Sequence, residues 1–133
     1  MIIRSKSTSD HQQNAEIFRD LMSQPMGCLT AEIGALQASL IEEETAEFVE
    51  AIEEATAHPE NRRAREAALK ELADVTYVCF QAAAAFGWDL NEALDRVHRS
   101  NLSKLVDGKP VKNEAGKVLK GPNYAKPKLI DLV

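Results

Sequence analysis

The stretch from Leu72 to Phe86 limits most sharply what this chain can become. It reads Leu-Ala-Asp-Val-Thr-Tyr-Val-Cys-Phe-Gln-Ala-Ala-Ala-Ala-Phe, with Asp74 as its one charged residue. A segment of this length that is apolar or small nearly all round, without β-type alternation, forms a helix buried on most sides. The small residues Ala82 to Ala85 let another helix come close. A chain of 133 residues supplies few helices to surround such an element, so self-association as a homodimer or homotetramer is expected. The apolar run Val75 to Trp88 is too short, and too interrupted by Thr76 and Gln81, to span a bilayer, so no membrane partner is expected.

The punctuation around this segment predicts three more helices. Asp10 is a candidate N-cap for a helix over about 10–23, with Ile17, Phe18, Leu21 and Met22 as its apolar stripe. Gln24-Pro25-Met26-Gly27 breaks it. A longer helix runs from about Thr30 to Ala57 and ends at His58-Pro59, because proline disfavours helical geometry in the residue before it. Asn61 caps the third helix, which Gly87 stops as a C′ glycine. Asp89 caps a fourth, Leu90 to about Val106, with Glu92 as its capping-box partner and Asp107-Gly108 as its end. The expectation is one all-α domain over residues 1–133. It has a four-helix core at about 10–106, built from antiparallel hairpins, and an irregular basic tail at 107–133. Lys109, Lys112, Lys117, Lys120, Lys126 and Lys128 make that tail basic, and Asn113-Glu114-Ala115-Gly116 suits the turn of a short hairpin.

The formal charge of -5 argues against polymeric nucleic acid as a partner. Cys28 and Cys79 have neither CxxC spacing nor a histidine cluster, so no disulfide framework or zinc site is read, and Cys79 suits a small core residue. Residues 1–12 are polar apart from Met1-Ile2-Ile3 and do not read as a signal peptide. A cytoplasmic location is the expectation.

Acids occupy positions where the helical core should be. The second helix is rich in glutamate, and a run of acids is usually a solvated face. Register argues otherwise for two of them. At roughly 100° per residue, with Leu40 as origin, Ile33, Leu36, Ala51 and Ala55 fall within about 60°, Glu44 about 40° to one side and Glu47 about 20° to the other. Both lie inside the apolar arc; Glu42, Glu50 and Glu53 lie outside it, and Glu43 sits at its margin. On the third helix Glu71 precedes Asp74 by three positions, on the same side. Buried unpaired carboxylates are costly, and like charges together are worse. Lys70 and Arg65 are too few to compensate four. A divalent cation held by Glu44, Glu47, Glu71 and Asp74 removes the conflict, and oxygen-only ligands favour Mg²⁺, with Mn²⁺ as substitute. A di-iron bundle would want Glu-x-x-His on two helices, which the sequence lacks.

Three elements together resemble a known superfamily. Leu40-Ile41-Glu42-Glu43-Glu44-Thr45-Ala46-Glu47-Phe48 resembles the first motif of the all-α NTP pyrophosphohydrolases, which include MazG proteins, dimeric dUTPases, dCTP pyrophosphatases and phosphoribosyl-ATP pyrophosphohydrolase. Glu71-Leu72-Ala73-Asp74-Val75 resembles the second motif, and His98-Arg99-Ser100-Asn101-Leu102-Ser103-Lys104 the Asn-x-x-Lys element that follows. The resemblance covers roughly residues 30–106. Glu42 is an extra acid before the usual pair. The resemblance implies Mg²⁺-dependent hydrolysis of a nucleotide between its α- and β-phosphates, giving the monophosphate and pyrophosphate, in a dimer or tetramer.

The residue chemistry agrees with that implication. A carboxylate beside a metal-bound water orients it or accepts its proton, a role for Glu43 or Glu44. Lys104 suits a phosphate oxygen, Asn101 a phosphate, sugar or base group, and His98 a substrate contact or a packed surface position. Tyr77 and Phe80 suit either the core or a nucleobase pocket; Trp88 suits a plug at a bundle end, and Tyr124 a stacking surface. The leading expectation is a nucleoside triphosphate pyrophosphohydrolase. Phosphoribosyl-ATP is the alternative substrate within the same fold, and a non-catalytic oligomeric metal-binding or interaction module is the alternative of another class.

Overall fold

The computed structural model describes residues 7–133; the apolar start Met1-Ile2-Ile3 lies outside the described residues. The chain is all-α. Its helices are α1 (His11–Leu21), α2 (Ala31–Ala57), α3 (Arg62–Phe86) and α4 (Leu90–Leu102), followed by one 3₁₀ turn, Ile130–Leu132. Among the described residues there is no strand, only two isolated antiparallel bridges, Val106 with Lys109 and Lys112 with Val118. No helix of the described residues is long and apolar enough to cross a membrane. The chain divides into two compact units, Met1–Trp88 and Asp89–Val133.

In the first unit each helix starts where a polar side chain satisfies its free N–H groups. Asp10 accepts from Gln13 N, Thr30 from Ile33 N, and Asn61 from both Arg63 N and Ala64 N. Four residues, His58 to Asn61, turn α2 back on α3. The pair is antiparallel: Gln37 and Leu40 share a cleft with Gln81 and Val78, Glu47 faces Glu71, and Ala55 shares a pocket with Ala68. α1 packs on α3. The α1–α2 connection is tied to the end of α3 by Gly27 N and Cys28 N, which donate to Ala84 O and Ala85 O. Gly87 closes α3 at φ 79°. A Cβ there would lie 2.9 Å from Gly27 Cα, so both its dihedral and its space require glycine.

α1 departs from expectation. Its buried residues are Ala15 and Arg19, whereas Ile17 is 50% exposed and Leu21 74%. The stripe of Ile17, Leu21 and Met22 faces outward, and the helix turns a guanidinium inward.

The second unit also differs from the reading of a helix followed by an irregular tail. α4 ends at Leu102, four residues before Val106. Its last carbonyls are taken up locally, since Ser103 N donates to Arg99 O and Lys104 N to Asn101 O. Ser103 Oγ donates to Ser100 O and accepts from Ala125 N, which fastens the tail to the helix end. Asp107-Gly108, read as a helix stop, is a two-residue hairpin turn. Both residues have positive φ, 48° and 73°, and Val106 and Lys109 exchange both backbone hydrogen bonds, as an Asp-Gly turn of the I′ kind does. The expected turn at Asn113 to Gly116 is present. Asn113 Oδ1 accepts from Ala115 N and Lys117 N, and Leu119 N donates to Val111 O.

Asp89 caps α4 by accepting from Glu92 N, but the capping box is not reciprocal. The Asp89 N–H goes to Leu132 O, and the Glu92 carboxylate goes to Arg96 and Arg99. Arg96 also grips Asp131 with two nitrogens, at 2.6 and 2.9 Å, and donates to Lys128 O. This fork on a carboxylate is the strong form of ion pair. Asp131→Asn is expected to speed amide hydrogen exchange across residues 125–133 while leaving α2 and α3 unchanged; equal exchange in the tail would show that Arg96 does not hold it.

Candidate active site

The α2–α3 seam brings together three of the four carboxylates chosen from register. Glu44, Glu47 and Glu71 each offer an oxygen, and these oxygens all lie within 4.8 Å of one another. Two turns of one helix and one turn of its antiparallel neighbour therefore aim like charges at one point. Glu44 Oε2 and Glu71 Oε2 are buried and have no hydrogen-bond partner. The Glu47 carboxyl is held above its ordinary value, first by the charge of Glu44, then by burial, then by the charges of Glu71 and Glu43, with a hydrogen bond to Glu44 adding to the effect. The cluster opens into a cleft of about 590 Å³ lined by Glu47, Glu50, Ala51, Glu53, Glu54 and Glu71. Glu50 and Glu53, which the arc placed outside the core, line this entrance.

Asp74 stands one turn further along α3 and is not part of the triad. Its Oδ2 is 2.6 Å from Lys70 Nζ, and Lys70 also lies 3.5 Å from Glu71. These two carboxylates hold the lysine above its ordinary pKa, and its hydrogen bond to Asp74 is the leading cause. Glu43 is exposed and near enough to act on Glu47. His98, Asn101 and Lys104 belong to the second unit; His98 and Asn101 are exposed, and Lys104 is half-buried just past the end of α4. Of the aromatic candidates, Tyr77 meets Phe18 edge-on with centroids 5.9 Å apart, and Phe80 is buried beside His11. Trp88 packs on Phe86. Lys120 Nζ lies 4.8 Å from the centre of the Tyr124 ring, so one face of that ring already has a cation.

An all-oxygen, multiply anionic donor set with two orphaned oxygens has the chemistry that a hard divalent cation needs. Cys79 contributes nothing of this kind: burial pushes its thiol up, which makes it inert.

The chain is a member of the all-α NTP pyrophosphohydrolase superfamily. Within it, the chain belongs to the phosphoribosyl-ATP pyrophosphohydrolase family, whose model matches residues 14–101. That span holds more than half of the chain, including both acid pairs and Asn101, and stops short of Lys104. No curated protein matches the chain.

The raised Glu47 carboxyl fixes a sign for stability. The unfolded chain loses this proton at the ordinary carboxylate value and the folded chain at a higher one. Between the two values the folded state binds more protons, so its stability falls as pH rises through that window. Glu47→Gln removes the repelled charge. In metal-free buffer at about pH 7 the variant is expected to melt above wild type, with the difference shrinking toward about pH 4, near the ordinary carboxylate value. A variant that melts lower at neutral pH would contradict the repulsion.

Proposed function

We propose that this protein is a Mg²⁺-dependent nucleotide pyrophosphohydrolase that cleaves the α–β phosphoanhydride of its substrate to the monophosphate and pyrophosphate. The convergence of Glu44, Glu47 and Glu71 within one 4.8 Å cluster, in a chain of a pyrophosphohydrolase family, carries this reading. Glu44, Glu47 and Glu71 hold the cation, and Asp74 completes the set once Lys70 moves aside; the Lys70 side chain is 66% exposed and free to do so. When bound, Mg²⁺ offsets phosphate charge and acidifies water. Glu43, at the rim of the cluster, orients the attacking water and accepts its proton. Lys104 contacts a phosphate oxygen as a point charge, Asn101 a phosphate, sugar or base group, and His98 the substrate's edge.

Two substrates compete. The name of the matching family favours phosphoribosyl-ATP. The Asn101/Lys104 element and the glycine-rich basic tail look more like enzymes of nucleoside triphosphates. Both carry the same α–β bond. Pyrophosphate release should be measured with Mg²⁺ across phosphoribosyl-ATP and the natural NTPs and dNTPs. Glu44→Gln, Glu47→Gln and Glu71→Gln should each lose at least about a hundredfold in rate, and Glu43→Gln should lose rate with less loss of metal affinity. Release that persists in all three, or that resists chelator, would sink the assignment. No release from any nucleotide by the wild type would favour a non-catalytic metal-binding or interaction module.

The same reading includes self-association. Leu69 is 67% exposed, Leu36 57%, Val49 46% and Leu72 45%, and among the described residues no large side chain is fully buried. Apolar surface of that extent on two packed helices suits a partner surface, and a second copy is the economical one. Sedimentation equilibrium should give a mass of at least twice 14.7 kDa, and Leu69→Glu should lower it. A monomer at micromolar concentration rejects the oligomer.

A further inference from the structure

A second cleft, of about 310 Å³, lies among α1, α2 and α3. Its walls include Phe18, Leu40 and Tyr77, yet three of its lining residues are polar and almost wholly buried: Arg19 is 4% exposed, Gln37 3% and Gln81 6%. Arg19 Nε donates to Pro25 O at 2.9 Å and one Nη to Gln81 Oε1 at 3.2 Å. Gln81 Nε2 in turn donates to Ala15 O at 3.4 Å. Among the described residues no carboxylate lies within ion-pair distance of Arg19. A guanidinium has five N–H donors and stays charged, so this one is buried with donors to spare and no counter-charge. Gln37 Oε1 is buried with no partner at all.

These are two separate anomalies on one cleft. A buried charge without an opposite charge and a buried amide oxygen without a donor both cost stability in the free protein. Gln81 turns the guanidinium and fixes its plane, while Gln37 is held by packing alone. Together they present spare donors and a spare acceptor, beside aromatic and aliphatic walls.

We propose that this cleft seats the substrate's nucleobase, and that Arg19 and Gln37 read a lactam edge. The ring carbonyl oxygen accepts from Arg19, and the adjacent ring N–H donates to Gln37 Oε1. The proposal rests on the pyrophosphohydrolase reading above. The volume is at the low end for small-molecule sites, enough for a heterocycle and too small for a whole nucleotide. Phe18 and Tyr77, 5.9 Å apart at 85°, offer the flat apolar contact that a base takes. Gln37 precedes Glu44 by seven residues on α2, and Gln81 follows Asp74 by seven on α3. The cleft therefore sits roughly 10 Å along the antiparallel pair from the acids, which leaves room for one sugar between base and phosphates. An amino base presents –NH₂ where the lactam presents C=O. That sets donor against donor at Arg19, the kind of mismatch that discriminates strongly.

Matched pairs test this: pyrophosphate release from UTP against CTP and from ITP against ATP, and calorimetric binding of UMP against CMP and IMP against AMP. The lactam member of each pair is expected to win in both measurements. Gln37→Leu is the decisive variant, because it removes an orphaned amide. It should melt at or above the wild-type temperature while the lactam-to-amino ratio of kcat/KM drops roughly tenfold. Arg19→Met should erase the preference further, and if it fails to fold Gln37→Leu still decides. Equal efficiency within each pair, turnover of phosphoribosyl-ATP alone, or an unchanged ratio in Gln37→Leu overturns the base seat and leaves the hydrolase reading intact. Lactam-selective monophosphate binding without any pyrophosphate release supports the base seat and removes the hydrolase reading instead.

Discussion

Electrostatic repulsion at the α2–α3 seam organises much of this molecule. A 27-residue helix and a 25-residue helix would ordinarily fill the line between them with aliphatic side chains. Here the middle of that line carries Glu44, Glu47 and Glu71, and among the described residues Lys70 supplies the only nearby ion pairing. The two helices stay together because apolar packing is intact on both sides of the acids. Ala55 and Ala68 pack on one side, and Leu40 and Val78 on the other. Hydrophobic contact is non-directional and survives interruption. The carboxylates are consequently held at fixed positions by neighbours that gain from burial, while the acids themselves resist it.

Charge is distributed unevenly along the chain. Residues 1–88 contain fifteen acidic and seven basic residues; residues 89–133 contain six and nine. The acidic unit asks for a cation, and Lys70, on a long exposed stem, is only a provisional one. The basic unit uses part of its charge on itself, through Arg96 with Asp131 and Glu92, and part on the Lys120–Tyr124 contact. Lys104, beyond the last turn of α4, takes part in no ion pair among the described residues. A polyphosphate accompanied by a divalent metal, the substrate of the proposed function, would bring both signs of charge to such a chain.

What the sequence revealed depended on how local the controlling interaction is. N-caps are decided within three residues, and Asp10, Asn61 and Asp89 were all readable in place, whereas Thr30, which caps α2, was read only as the start of that helix. Gly87 was readable too, because its φ is a property of one residue, and so was the placement of Glu44 and Glu47 on the side of α2 that meets Glu71, because helical register is a local rule; the exposure of Glu47 was not. The end of α4 was not, because it depends on Ser103 meeting Ala125, 22 residues away. The Asp-Gly turn was legible by its residue type and was misread as a stop because a helix was expected to reach it. The inward face of α1 was hidden for another reason. Apolar periodicity selected Ile17, Leu21 and Met22, whereas the buried side is Ala15 and Arg19. Hydrophobicity points to the core only when the core is the sole place for apolar groups. Gln37 shows the same failure: it lies between Ile33 and Leu40 in a register that admits only one reading for leucine and two for glutamine.

These misreadings and the orphaned groups have one physical origin. A chain that leaves Leu21, Leu69 and Leu36 in solvent while burying an arginine without a counter-charge, and a glutamine oxygen and one oxygen each of Glu44 and Glu71 without a partner, is not at a stability optimum on its own. Apolar surface is satisfied by another surface, orphaned carboxylates by a cation, and spare donors and acceptors by a planar polar ligand. A partner that bound the folded chain and not the unfolded one would add to stability by an amount that grows with the logarithm of its concentration relative to its dissociation constant. On the proposed reading the acids and the base cleft lie along the same two helices, so a partner that ordered α2 and α3 would lower the ordering cost met by the next. That would be positive coupling without a change of shape. Under the proposed function, the free chain's seam is one state of a linked set whose lowest member would have all three kinds of partner in place.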